Sequence, residues 1–446
     1  VARSVRPSLA LAAILPLVSA MPAFAQDKVK LSVNGSVRAR VETIGGQFRP
    51  NSPESDSFVS FRTVLAAKAD IGAFTFGGEV VDARGYGENE KSTVRTNEIN
   101  DLEPVQAYIA VRPTKGAQLT VGKFAMDIGA SRLVGRTDFP NGVPTYLGAK
   151  FELQDKDKNQ LYLFWTRPFT ALPDTPADIY DNKVQLDRAT ENIEFFGGNA
   201  MLAKLFGKTS IEAYGFRLIE HDRSTHPTRN RRLITFGTRL RRAPAKGAID
   251  YEVEAALQRG LARATAAVSD VRDLKVHAGF VHVELGRTFA GKWAPRIAAL
   301  FDYASGETAN PNTYTRFDTL YGARRADFGP LSLYGALGRA NIVSPGVRFE
   351  ARPSKRLDLM ASVRGAWLAS SIDAFSSTGV TDKTGRSGKF GGVQFELRGR
   401  RWLVPQKLRF ELGAAYLAKG EFLQDAPNAP RSGDTKFVHG DLTFSF

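Results

Sequence analysis

The sequence has 446 residues, 43% of them hydrophobic, a formal net charge of +15 and no cysteine. The missing thiols exclude disulfides, thiolate chemistry and cysteine-ligated metals. No apolar run reaches the roughly 20 residues that a membrane-spanning helix needs.

Near the start, Arg3 and Arg6 form a basic region, Ser8 to Val18 a short apolar stretch, and Ala23-Phe24-Ala25 a small-x-small cleavage pattern. Residues 1–25 are therefore predicted to be a cleaved signal peptide, and residues 26–446 a single domain. Pro16 and Pro22 argue against a buried first helix. Removing Arg3 and Arg6 leaves a charge of +13. On an exported protein, that excess points to anionic solutes, lipopolysaccharide or an acidic polymer, and away from nucleic acid. Exported soluble proteins of this size often use disulfides, whereas a closed β-barrel does not need them.

From Val29 onward the chain reads as strands. In Val29–Thr43, Val33, Gly35, Val37, Ala39 and Val41 share one face, and Asn34, Ser36, Arg38, Arg40 and Glu42 the other. Ser57–Asp70 and Ala73–Arg84 follow, separated only by Ile71 and Gly72. The next predicted strands are Asp101–Arg112, Gly116–Ala125, Thr145–Gln154, Lys158–Arg167, Thr190–Lys204 and Lys208–Glu220. Then come Arg229–Arg241, Ala248–Leu261, Val271–Gly286, Lys292–Ala304, Ala340–Ala351, Lys355–Ser370, Gly388–Arg400, Lys407–Gly420 and Asp434–Phe446. This makes eighteen strands. Short connections, such as Arg112–Gly116, alternate with long ones, such as Met126–Pro144, Pro168–Ala189, Ser305–Arg339 and Ser371–Ser387. That rhythm predicts a transmembrane antiparallel β-barrel with short periplasmic turns and long extracellular loops. An even strand number puts both termini on the periplasmic side. No repeat of fixed period suggests a propeller or solenoid.

The last strand shows the pattern most cleanly. Val438, Gly440, Leu442, Phe444 and Phe446 alternate with Phe437, His439, Asp441, Thr443 and Ser445. A final Phe on such a strand is typical of outer-membrane barrels, where the last strand closes on the first. Phe446 is the expected handle for the barrel-assembly machinery.

Charge on a lipid-facing position costs about 2–4 kcal/mol for Arg or Lys at the membrane centre, so strand charges should point inward. The inward basic set is Arg38, Arg40, Arg62, Lys68, Arg239, Arg241, Arg296, Arg348, Arg364, Arg398 and Arg409. Inward acids are Glu42, Glu79, Glu152, Asp302, Glu350, Asp358, Glu396 and Glu411. These charges can form structural ion-pair ladders, an electropositive path for anions, or both. The longest loop, Ser305–Arg339, carries five aromatics, among them Phe317, Tyr321 and Phe328, together with Arg316, Arg324, Arg325 and Arg339. Such side chains are poorly suited to a free loop. Two readings stand side by side: part of the segment folds into the barrel mouth or lumen, or the loop packs over the rim against lipopolysaccharide.

Phe301-Asp302-Tyr303-Ala304-Ser305-Gly306, followed by Phe317-Asp318-Thr319-Leu320-Tyr321-Gly322, resembles the alginate-export family of outer-membrane barrels. Arg62-Thr63 resembles that family's early Arg-Thr strand. Gly78–Arg84, Gln106-Ala107-Tyr108, Val121-Gly122-Lys123 and Arg132-Leu133-Val134-Gly135 resemble the motifs that follow it. The resemblance covers most of the mature chain. It implies an eighteen-stranded barrel whose arginine-rich lumen passes an anionic uronate polymer, with periplasmic export partners delivering it. It also implies that Arg62, Asp82, Arg84, Lys123 and Arg132 lie in the lumen or mouth. The sequence departs from the pattern at Lys123, where relatives are expected to carry Arg, and in the Ala-rich loop Ala262–Ser269.

Other classes fit less well. His221 and His226 lie with Asp222 and Ser224 in one loop, but the spacing matches no nucleophile motif, and Pro227 disfavours a helical metal site. Gln154–Asn159 lacks the Gly and distal Glu of a calcium loop. Strands begin too soon after the cleavage site for a plug domain. Together these features predict a non-catalytic channel of the bacterial outer membrane, without metal or cofactor. Its solutes would be anionic or polyhydroxylated, an acidic polysaccharide such as alginate included. The alternatives are a small-solute porin and a non-conducting structural or adhesive barrel.

Overall fold

Period-two alternation and short turns wrap the chain into a closed antiparallel barrel of 18 strands. The computed structural model describes residues 29–136, 139–323 and 325–446. The predicted signal peptide, residues 1–25, lies outside the described residues. The strands are β1 (Lys30–Gly45), β2 (Ser55–Ile71), β3 (Phe74–Tyr86), β4 (Asn100–Val111), β5 (Ala117–Phe124) and β6 (Tyr146–Gln154). They continue as β7 (Gln160–Thr170), β8 (Ile193–Phe206), β9 (Thr209–Glu220), β10 (Arg232–Arg242), β11 (Ile249–Ala262) and β12 (Leu274–Thr288). The last six are β13 (Arg296–Ala304), β14 (Ile342–Ser354), β15 (Leu357–Trp367), β16 (Phe390–Val404), β17 (Leu408–Lys419) and β18 (Thr435–Ser445). Each predicted strand has its counterpart. Short helices lie in the loops: α1 (Pro176–Tyr180), α2 (Arg325–Phe328) and α3 (Glu421–Asp425).

Every strand pairs with its successor, and β18 closes on β1 from Ser36↔Ser445 to Gly45↔Lys436. Reciprocal backbone bonds of 3.0 Å between Gly35 and Phe446 extend that seam. Among the described residues, closure leaves none of the 18 barrel strands with an unpaired edge, which a bilayer requires. No helix among the described residues is long and apolar enough to cross a membrane.

The alternation sorts the side chains as the sequence pattern requires. On β18, Val438, Leu442 and Phe444 are exposed on the outer wall, while Phe437, His439 and Asp441 are buried inside. The apolar core occupies the lumen itself. Wall residues Ile44, Phe58, Phe195, Phe216, Phe280 and Phe437 pack there with Phe317, Phe328, Leu333, Tyr334 and Leu337 of the β13–β14 loop. Of the two readings of this long loop, the structure favours the one in which part of it folds into the barrel over packing on the rim.

Candidate functional site

The candidate site is the lumen, whose wall interleaves arginines with carboxylates. Arg38 and Arg62 sit directly opposite each other on β1 and β2. Arg38 Nη2 donates to Phe139 O at 3.1 Å and to Asn141 Oδ1 at 2.5 Å. Arg40 pairs with Asp441 of β18, and its guanidinium lies 3.9 Å from the Phe139 ring centre. Arg239 bonds Glu212 at 2.7 Å and Glu252 at 2.9 Å. Arg296 and Arg348 both bond Glu284, at 2.5 and 2.6 Å. Arg364 bonds Asp302 at 2.9 Å, and Asp302 also meets His282 Nδ1 at 2.7 Å. Nearer the periplasmic end, Arg241 lies 3.5 Å from Glu252, Arg398 faces Met360, and Arg409 lies 5.8 Å from the Trp402 ring. Lys68 meets Asp70 at 3.3 Å. The wall is thus an ion-pair ladder in which arginines and carboxylates alternate between neighbouring strands.

Two loops divide this lumen. The β5–β6 loop supplies Arg132, and the β13–β14 loop supplies Asp327 on α2. Arg132 bonds both Asp327 oxygens, at 2.9 and 3.1 Å, and reaches Glu252 and Glu254 of β11 at 2.5 and 2.6 Å. Arg339 pairs with the same Asp327. Burial pushes the Asp327 carboxyl up, but Arg132, His282 and Arg339 outweigh it and hold the group well below the usual carboxylate range. Backbone bonds stitch the loops together: Gly135 N donates to Tyr321 O at 3.1 Å, and Tyr321 N to Leu133 O at 3.0 Å.

The partition is anchored on several sides of the wall. Arg49 donates to Leu333 O at 2.7 Å, Tyr334 OH to Gln394 of β16 at 2.8 Å, and Gln394 Nε2 to Phe328 O at 3.2 Å. Asp318 N donates to Gln258 of β11 at 2.9 Å. Burial raises the Asp318 carboxyl, but Arg231, 2.8 Å away, more than offsets that and lowers it. Arg316 is tied to Asp373 at 2.7 Å in the β15–β16 loop. Arg324 lies outside the described residues, and Arg325 opens α2.

Three residues lie elsewhere than expected. Asp82 and Arg84 pair in register with Thr63 and Phe61, so they project from the outer wall near its extracellular end. They bond each other at 3.1 Å, and Arg84 lies 3.3 Å from Asp101. Lys123 is opposite Leu147 on the outward side of β5. It pairs with Glu103 and lies 3.9 Å from the Phe169 ring centre, away from the lumen. The reason is parity: Glu79 and Thr120 face inward, and an odd offset puts Asp82 and Lys123 on the opposite face.

Sequence reasoning did not single out Asp327 or the inward path of the β5–β6 loop. The signal was present, since Met126, Leu133, Val134 and Phe139 in that loop are as apolar as a buried segment. Among the described residues, two clusters bring one His and two carboxylates within 4.8 Å: His282, Asp302 and Asp327, and Glu411, His439 and Asp441. Arginines already engage Asp302, Asp327 and Asp441. In the β9–β10 loop Asp222 is engaged by Arg263 at 2.5 Å, and Asp155 caps its own turn by accepting from Asp157 N and Asn159 N.

A closed 18-strand wall, an outer apolar belt and a charged, loop-divided lumen define a channel-type barrel of the outer membrane. The alginate export family model matches residues 29–437, and the chain belongs to that family. Comparison with curated protein sequences gave no match. Among solved structures, the chain is similar to OpdK of Pseudomonas aeruginosa, with 11% identity, 93% of this chain and 98% of that one covered, and a TM-score of 0.59. OccK9 (OpdG) of the same organism gives 10%, 93%, 98% and 0.60. OccK2 (OpdF) of Pseudomonas aeruginosa, solved in complex with glucuronate, gives 12%, 93%, 96% and 0.56.

Proposed function

We propose that this protein is a passive, non-catalytic channel for anionic, polyhydroxylated solutes, carboxylated sugars and their polymers foremost. One observation carries the proposal: arginines line the lumen on both sides of a partition made of two tied loops. Low-dielectric walls focus the field of those arginines and raise the local anion concentration. The carboxylates along the wall keep the arginines extended and ordered, so a passing anion meets fixed donors. The family assignment and the glucuronate complex of OccK2 support an acidic sugar as the solute.

The partition favours a second reading at the level of size. It separates cavities of about 540 and 230 Å³ on the periplasmic side from cavities of about 270 and 410 Å³ among the extracellular loops. A polymer needs the partition to move, whereas a small acid needs only local breathing. Uronate oligomers of graded length, added to single channels in a planar bilayer, test both. Interruptions that lengthen with oligomer length, and are absent with neutral glucans, support the polymer path. Passage of monomers with no response to oligomers supports the small-solute porin. Absence of conductance from an inserted barrel contradicts both.

A further inference from the structure

The periplasmic end of the lumen opens into the cavity of about 540 Å³. The β10–β11 turn forms part of its wall. That turn leans over β11: Lys246 bridges to Thr288 of β12, and Gly247 N donates to Thr288 O at 2.9 Å. Arg241, Arg296, Arg352, Arg398 and Arg400 join Lys246 around the space, against the two lining carboxylates Glu350 and Asp358. Arg400 takes Asp358 at 2.9 Å, and Arg296 takes Glu350 at 2.7 Å. Among the described residues, Lys246 and Arg352 have no carboxylate within 4.0 Å. The cavity shares Glu350, Met360 and Arg398 with the smaller one that reaches Arg364 and Asp327. It therefore leads to the underside of the partition.

The rim has the same sign. Seven of the eight periplasmic turns carry a lysine: Lys115, Lys156, Lys208, Lys246, Lys292, Lys355 and Lys407 mark them in order. Within a screening length of about 8–10 Å, these charges add to the field at the mouth.

We infer that this vestibule is a capture site for a carboxylated polyanion arriving from the periplasm. The inference rests on the anion-channel reading above. The cations come from separate elements around the cavity, so one carboxylate cannot neutralise them, while a chain of acidic sugars can. They line the inner face of the wall, away from the phospholipid leaflet. Arg241 and Arg296 are also engaged by Glu252, Asp250 and Glu284, so the surplus charge comes from Lys246 and Arg352; it favours an anion over a divalent cation and gives a neutral sugar no advantage.

Oriented single channels test this with a uronate tetramer added on one side at a time. The variants are Lys246→Glu and Arg352→Glu, singly and together; both residues are exposed, and heat-modifiable mobility on gels reports an intact barrel. The double variant is expected to lower the rate of periplasmic-side interruptions at least fivefold, with extracellular-side interruptions unchanged. Raising the salt concentration should shrink the difference. Equal rates in wild type and double variant, with anion selectivity retained, overturn the capture site and leave the channel reading standing. Inorganic phosphate that interrupts as well as the tetramer at matched charge overturns the polymer assignment. A wild-type channel without anion selectivity or interruptions removes the channel reading, and this inference with it.

Discussion

Arg132 and Asp327, 195 positions apart in the chain, meet in a two-pronged ion pair in the middle of the barrel, with Nε–Oδ2 at 2.9 Å and Nη2–Oδ1 at 3.1 Å. The pair joins the two loops that divide the lumen, and the β11 carboxylates Glu252 and Glu254 hold it to the wall. Removing one member of a buried, hydrogen-bonded pair leaves its partner uncompensated, at about 3–5 kcal/mol.

Arg132→Ala should therefore loosen the partition without opening the wall, whose ladders do not depend on it. The expected result is a several-fold rise in mean single-channel conductance, or frequent brief openings. Asp327→Asn should do the same more weakly, since Arg132 keeps Glu252 and Glu254. Single-channel recording checks both. Conductance unchanged in Arg132→Ala would mean that the loops are held by their apolar packing and backbone bonds alone.

Arg62 and Arg38 face each other across β1 and β2, two cations on neighbouring strands of the lumen wall. Arg62→Gln should move the zero-current potential under a salt gradient toward cation preference, with little effect on folding. An unmoved potential would make Arg62 a structural partner only.

Glu98, in the β3–β4 loop, is buried, and that burial, with the nearby Glu42 charge, raises its carboxyl to about 8. A raised carboxyl contributes stability in full below its unfolded value of 4.5 and loses it as pH climbs to about 8. Protection of the extracellular loops from protease should fall over that window. Glu98→Gln should flatten the dependence; an equally steep fall in the variant would assign it to another group.

Leu442 lies on the lipid face of β18, opposite Ala39 of the closing seam. Leu442→Arg should destabilise the inserted barrel by about 2–4 kcal/mol. Denaturant titration in lipid vesicles reads this directly, with Leu442→Ala as the milder reference.

The wall was legible because a bilayer enforces the period-two rule on every strand. On β1, Arg38, Arg40 and Glu42 could only face the lumen. The inward fold of the β13–β14 loop was legible from aromatics that solvent would not hold. What failed was transfer by motif where parity disagreed: Asp82 and Arg84 follow Glu79 by odd offsets and end on the outer wall. The Arg132–Asp327 pair was illegible for a different reason. Both residues lie in loops, where no periodicity constrains direction, and their contact is set by how two long segments cross inside a closed barrel.

The most direct measurement is the zero-current potential of the wild-type channel in a planar bilayer under a salt gradient, before and after adding uronate oligomers. Anion selectivity that weakens as the oligomers occupy the lumen is the expected result. Cation selectivity, or a potential indifferent to the oligomers, would contradict the basic lumen as a path for acidic sugars.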